Sequence, residues 1–160
     1  MAYGGEWHHQ VDELNTGSLF AQRARLAYPQ SRIRNSELNS VGGGWRRAFV
    51  GAMQPVVQLQ GVYGAEANTS NPRQDDLSRR LYTGRVGVSV TPAPRWGASI
   101  GANYTRSNYK AADPLFLTPR KDNYYGFEAG ASYRFTKQIS VRGDYLHSAK
   151  IGRASCRERV

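Results

Sequence analysis

The stretch WGASIGANY, at residues 96–104, alternates apolar side chains with small polar ones without interruption. Trp96, Ala98, Ile100, Ala102 and Tyr104 fall on one side of an extended chain, and glycine, serine and asparagine fall on the other. A period of two residues is typical of a β-strand, because successive side chains point to opposite faces. The stretch therefore predicts a strand with one apolar face and one polar face.

Four further segments, at residues 57–65, 82–90, 125–135 and 139–145, show the same alternation on both sides of this strand. Weaker alternation predicts two more strands, one at 45–50 and one at 20–28. In the second, the apolar face is assigned to Phe20, Ala24, Leu26 and Tyr28. Residues 1–16 are left unassigned. The predicted fold class is all-β, with about seven antiparallel strands.

The connections between these strands alternate in length. Short turns are predicted near residues 53–55, 91–95 and 136–138, and long polar loops at about 29–43, 67–80 and 106–123. Outer-membrane barrels have short periplasmic turns and long extracellular loops, and their strands cross the bilayer with about 9–11 residues. Single-chain bacterial barrels have even strand numbers, so about seven strands predict a partial transmembrane β-barrel located in the bacterial outer membrane.

The tyrosines occupy related positions in five successive strands of alternating direction. If the short turns are periplasmic, these tyrosines all lie toward the extracellular end of the apolar face: Tyr63, Tyr82, Tyr104, Tyr125 and Tyr145. A bias that changes from strand end to strand start in step with chain direction is expected of an interfacial aromatic girdle. Trp96 and Phe135 are predicted to mark the opposite girdle.

The polar faces of the same strands carry charged residues. Those predicted to face the barrel lumen are Arg85, Glu128, Arg134, Arg142 and Asp144. The formal net charge of +10 could also indicate nucleic-acid binding. Base-stacking strands would place aromatic and basic residues on the same face, whereas Arg85, Arg134 and Arg142 are predicted to point away from Tyr82, Tyr133 and Tyr145. The predicted partner is therefore outer-membrane lipid, and no nucleic acid is expected.

Two groups of residues carry metal-ligand chemistry in principle. His8 and His9 lie near Asp12 and Glu13, but adjacent residues of a strand point to opposite faces, and the spacing matches no established site. The acidic pair at residues 75–76 lies in a loop rich in arginine, which is typical of a solvated surface. We predict no metal site and no cofactor.

A hydrolase triad is the strongest catalytic alternative. Asp144, His147 and Ser148 are residues of the right type, and some outer-membrane barrels are lipases or proteases. Asp144 and His147 differ in parity on one strand, so they face opposite sides and cannot form the hydrogen-bonded chain of a triad. We therefore predict that the protein is not an enzyme.

The last ten residues, IGRASCRERV at 151–160, match the translation of a common sequencing-library adapter residue by residue. We predict that residues 1–150 are a partial outer-membrane barrel and that residues 151–160 are an adapter-derived tail. The only cysteine, Cys156, lies in this tail. The chain is then expected to be cut in mid-strand, with Met1 an internal methionine or an alternative start.

The stretch RKDNYYGFEAGASYRFTKQISVRGDYLHSA, at residues 120–149, resembles the closing part of the barrels of tetratricopeptide outer-membrane proteins, including the surface lipoprotein assembly modifier family. The matching positions are Arg120, Asp122, Ser140, Val141, Arg142 and Tyr145. The final strand and terminal phenylalanine of that family are absent, and the chain contains no tetratricopeptide repeat.

This resemblance implies export or surface display of cargo such as lipoproteins. Two alternatives stay open. One is a porin-like passive channel, in which the inward-facing arginines would favour anions. The other is a structural or adhesive surface barrel whose long loops bind a partner.

Overall fold

The structure is a computed structural model that describes residues 1–27, 35–69, 78–112 and 118–153. These residues form one antiparallel sheet in which each strand pairs with the next along the chain. The strands are β1 (Ala2–Gln10), β2 (Asn15–Leu26), β3 (Ser36–Ala48), β4 (Val56–Asn68), β5 (Arg79–Ala93), β6 (Trp96–Ala112), β7 (Pro119–Arg134) and β8 (Ser140–Arg153).

The all-β prediction is confirmed, and the strand count is eight rather than about seven. The additional strand is β1, which lies in the unassigned segment and pairs with β2 from Ala2 to Gln10. In the part of the chain that the structure describes, no pairing joins β1 to β8, so the sheet is not closed. Nor do the described residues include a helix long and apolar enough to cross a membrane.

The strands extend well into the segments predicted as long loops, so the loop boundaries were wrong. β3 begins at Ser36 and β7 at Pro119, whereas β6 continues to Ala112. These extensions carry polar residues on both faces, so they show no alternation, although their backbones continue the ladder of paired strands. The predicted loop centres, including the acidic pair at 75–76, lie outside the described residues.

The two faces of the sheet differ in curvature, as the glycines show. A Cβ added at Gly61, Gly84 or Gly143 would meet nothing within 4 Å. On the other face, a Cβ at Gly101 would come within 2.5 Å of the Glu128 side chain, and one at Gly130 within 2.7 Å of Asp144. Side chains therefore diverge on the first face, which we call the convex face, and converge on the second, the concave face.

The sheet has no hydrophobic core within the described residues, where no apolar side chain is buried. The convex face instead leaves large apolar side chains open, with Ile100 57% exposed and Val141 59% exposed. A soluble monomer rarely exposes so extensive an apolar surface. This is the arrangement of a barrel wall, whose outer face is covered by lipid.

The predicted orientation of β2 was wrong. Leu19 pairs with Gly43, which pairs with Gly61, so Leu19 lies on the convex face, whereas Phe20 lies on the concave face. The Phe20 ring there covers Gly42, where an added Cβ would come within 2.5 Å of the ring. The glycine leaves space for an aromatic ring on the polar side, which the sequence of β2 alone does not indicate.

The turn between β1 and β2 is closed by Asp12. Its carboxylate accepts hydrogen bonds from the Leu14 and Asn15 backbone amides, each at 2.8 Å, and from the Asn15 side chain at 2.7 Å. The Asn15 side chain and the Leu14 amide hold the pKa of Asp12 below its usual value, because both stabilise the charged carboxylate. This is the local side-chain-to-backbone bonding by which Asp favours turns.

Candidate functional site

The concave face carries all five residues predicted to face the lumen. Register places them on β5, β7 and β8 on the side opposite to the exposed apolar residues: Arg85, Glu128, Arg134, Arg142 and Asp144. Whether this face lines a water-filled lumen stays a prediction, which the convergence of its side chains supports.

An ion pair crosses this face between Arg85 on β5 and Glu128 on β7. The pair spans the intervening strand β6, where Gly101 is buried beneath the Glu128 side chain. Gly101 thus provides the space in which two charged side chains meet across three strands. A larger residue would force Glu128 away from Arg85.

Near the β7–β8 turn, the Arg142 guanidinium donates to both carboxylate oxygens of Asp144 at 2.9 Å. Arg134 differs, because no carboxylate of the described residues lies within 4.0 Å of it. The charges on this face are therefore mostly compensated in pairs, and the predicted excess of inward-facing cations is smaller than the sequence indicates.

A second group of charges, at the opposite end of the concave face, was missed by the sequence analysis. The Asp122 side chain is 1% exposed and forms ion pairs with Arg120 at 2.8 Å and Lys150 at 3.2 Å. The Tyr124 hydroxyl donates to the same carboxylate at 3.5 Å. We call Arg120, Asp122, Tyr124 and Lys150 the Asp122 cluster.

A neighbouring pair extends this group of charges. Arg79 donates to Glu66 at 2.7 Å and to the Tyr109 hydroxyl at 3.2 Å, and Arg120 lies over the Tyr109 ring at 5.3 Å. The Arg120-x-Asp122 spacing, which puts both side chains on one face, is a signal the sequence offered. Lys150 could be found only once the register of β7 and β8 was known.

Most of the aromatic residues predicted as girdles contact another aromatic ring. Tyr63 and Tyr82 have ring centroids 5.3 Å apart, and Tyr104 and Tyr125 are 5.1 Å apart. At the other end, Tyr133 contacts Trp96 of the neighbouring strand at 4.8 Å, and it also contacts Phe135, two residues further along the chain, at 4.7 Å. Such cross-strand aromatic pairs stabilise neighbouring strands.

The line of tyrosines runs diagonally to the hydrogen bonds of the sheet. A row here is a line of paired residues that crosses the sheet, and Tyr63 and Tyr82 share one. Tyr104 and Tyr125 lie in the next same-face row away from the long loops. Tyr145 shares its row with Val57, which is six residues before Tyr63. Six residues span about 20 Å and four strand spacings about 19 Å, which gives a slope of about 45°.

Barrel strands tilt by about 35–45° from the barrel axis, so a ring of residues at one membrane depth must cross the hydrogen-bond rows at such a slope. An aromatic line parallel to the rows would not fit a tilted barrel. The girdle assignment itself stays a prediction, and this geometry supports it.

The catalytic and metal alternatives are not assembled. Asp144 lies on the concave face and His147 on the convex face, where it shares a row with Phe127. His8 contacts Glu6 at 3.4 Å, and His9 stacks on Trp7 on the opposite face. No group of three potential metal ligands occurs among residues 1–27, 35–69, 78–112 and 118–153.

Comparison with known proteins agrees with the geometry. Residues 22–155 match the family described as outer membrane protein beta-barrel domain. No curated protein and no solved structure matches the chain. The matched range contains β3 to β8 in full and the last five residues of β2. The chain therefore belongs to the outer membrane protein beta-barrel domain family, and its location is the bacterial outer membrane.

Proposed function

We propose that the chain forms part of the wall of an outer-membrane barrel that exports cargo, such as lipoproteins, or displays it at the cell surface. The observation that carries this proposal is the Asp122 cluster. Arg120 and Asp122 are the loop-exit residues of the resemblance to lipoprotein assembly modifiers, and Asp122 is the most deeply buried charged residue among those described.

The physical role of the cluster is to fix the start of β7 against the end of β8. A buried carboxylate that loses its cations, or cations that lose their carboxylate, leave uncompensated charge in the sheet. The cluster thus holds one rim of the barrel in a single geometry, as a passage for a specific cargo requires.

Surface display tests this proposal. Asp122→Asn in the intact protein is expected to reduce the amount of a cargo lipoprotein at the cell surface several-fold, measured by antibody labelling of whole cells. Asp144→Asn is the matched control, because it removes a carboxylate from an exposed ion pair near the opposite end of the same face. Equal cargo at the surface of cells lacking the intact protein would contradict the proposal.

A passive channel is the second candidate, which the polar concave face favours. The ion pairs make a specific prediction. Because Glu128 compensates Arg85, the intact channel should show weak ion selectivity, and Glu128→Gln should shift it toward anions. Reversal potentials in planar bilayers under a salt gradient measure this shift. Tyr145→Gln, on the convex face, is the control and should leave the ion selectivity unchanged. Absence of any ion conductance would contradict the channel and favour export.

A structural or adhesive barrel is the remaining alternative, and it predicts normal cargo display together with loss of binding to surfaces when the loops are exchanged.

A further inference from the structure

Three cations lie together on the convex face, on the loop side of the tyrosines. Arg80 on β5 and Lys121 on β7 share a row, with Asn108 of β6 between them, and Arg106 lies in the next row toward the tyrosines. We call Arg80, Arg106 and Lys121 the cation cluster. All three residues are exposed.

The order of cation and tyrosine reverses with strand direction. Arg80 precedes Tyr82 by two residues on β5, whereas Arg106 follows Tyr104 by two residues on the antiparallel strand β6. On β7, Lys121 precedes Tyr125 by four residues. All three cations therefore lie beyond the aromatic line, on the side of the long loops.

The cation cluster has no compensating carboxylate in the part of the chain that the structure describes, where none lies within 4.0 Å of its three residues. The side-chain hydrogen bond of Arg106 goes to neutral Asn108, at 3.2 Å. Two other arginines on this face, Arg23 and Arg25, share the carboxylate of Glu37. The cluster thus presents three uncompensated positive charges.

An apolar depression of about 840 Å³ adjoins the cluster on the convex face. Its floor includes Gly61 and Gly84, above which the surface is open, and its walls include Tyr82 and Tyr104. Arg106 lies at its cationic end. An apolar depression that ends in basic groups has the chemistry of a site for an acyl chain with an anionic headgroup.

We propose that the cation cluster binds the phosphate group of a lipid in the leaflet on the tyrosine side, with an acyl chain in the adjoining depression. Arginine guanidinium groups are suited to bidentate phosphate binding, and lysine adds a point charge. The opposite end of the convex face differs, since Arg47 is the only strand cation described there and it lies over the Phe49 ring at 5.0 Å. The charge distribution thus favours one leaflet. With the predicted orientation, this is the outer leaflet, and the lipid is a phosphorylated glycolipid.

The test uses the intact protein, purified from outer membranes in detergent and titrated with lipid A while binding is followed by native mass spectrometry. Wild-type protein is expected to bind lipid A at least tenfold more tightly than chemically dephosphorylated lipid A. The variant Arg80→Gln/Arg106→Gln/Lys121→Gln should lose affinity about a hundredfold, because each surface cation contributes a factor of about five. Arg47→Gln, on the same face at the other end, should change affinity less than twofold.

The comparison of the two lipids decides the proposal even if the triple variant does not fold, because it uses wild-type protein alone. Equal binding of lipid A and its dephosphorylated form would overturn the proposal. So would an equal loss of affinity in Arg47→Gln. Inorganic phosphate or a single-stranded oligonucleotide that displaces the lipid at micromolar concentration would also overturn it, by assigning the cluster to a soluble anion.

Discussion

Ile100→Arg is expected to destabilise the barrel folded in a bilayer by about 2–4 kcal/mol, because it places a charge in lipid near the membrane midplane. Ile100 lies on the convex face, four residues from both Trp96 and Tyr104, which the girdles place at opposite membrane surfaces. Its side chain is 57% exposed in the isolated sheet, so lipid would surround the introduced guanidinium. Urea unfolding of the intact protein in phosphatidylcholine vesicles measures the change.

Ser99→Arg is the matched control, one residue away on the concave face. An arginine there can extend toward the polar side chains of that face, and we expect a smaller loss. Equal losses at Ile100 and Ser99 would contradict the assignment of the convex face to lipid.

Gly42→Ala is the second substitution with a large expected effect. Its new Cβ would lie 2.5 Å from the Phe20 ring and 2.6 Å from the carbonyl oxygen of Gly61. The ring can rotate, but the carbonyl belongs to the backbone of β4, so the strands themselves must shift. Overpacking of this kind costs about 1–3 kcal/mol. The same vesicle unfolding experiment measures it.

Gly61→Ala provides the comparison, because Gly61 lies on the neighbouring strand with nothing within 4 Å of the added Cβ. Alanine at this open position also reduces the freedom of the unfolded chain, so stability should stay unchanged or rise by up to about 1 kcal/mol. A destabilisation by Gly61→Ala equal to that by Gly42→Ala would mean that the two faces do not differ in curvature.

The sequence predicted the strands where one face is apolar and the other polar over a whole membrane crossing. In β6, the alternation from Trp96 to Tyr104 sufficed to predict the strand and its two faces. The same strand continues to Ala112, which the sequence did not indicate. Outside the membrane both faces contact water, so backbone pairing continues without an apolar pattern to reveal it.

Strand β1 was not predicted, because its alternation of apolar and polar residues is weak. Tyr3 and Trp7 alternate with Gly4 and Glu6, but the run is short and His8 and His9 interrupt its contrast. The face of β2 could not be predicted, because Phe20 lies on the concave face only where Gly42 of β3 leaves space for it. That space depends on register, which a single strand does not encode.

Among the charged pairs, one within a single strand could be predicted from the sequence and one between strands could not. Parity alone placed Arg142 and Asp144 on one face of one strand, and the structure places them in contact. The Arg85–Glu128 pair joins residues 43 positions apart in the chain, and it forms over Gly101 of the strand between them. Contacts of this kind require the strand order and register as well as the alternation.

The central claim is that the strands cross the outer membrane with the tyrosine end outside, and single-cysteine labelling tests it most directly. β7 supplies a matched pair of exposed positions, Thr118 just before the strand and Lys137 just after it. Each is replaced by cysteine, one at a time, in the intact protein without the adapter-derived tail and its Cys156. We predict that an impermeant thiol reagent labels Thr118→Cys on whole cells and labels Lys137→Cys only after the outer membrane is opened. Labelling of both positions on whole cells, or of Lys137→Cys alone, would contradict this orientation.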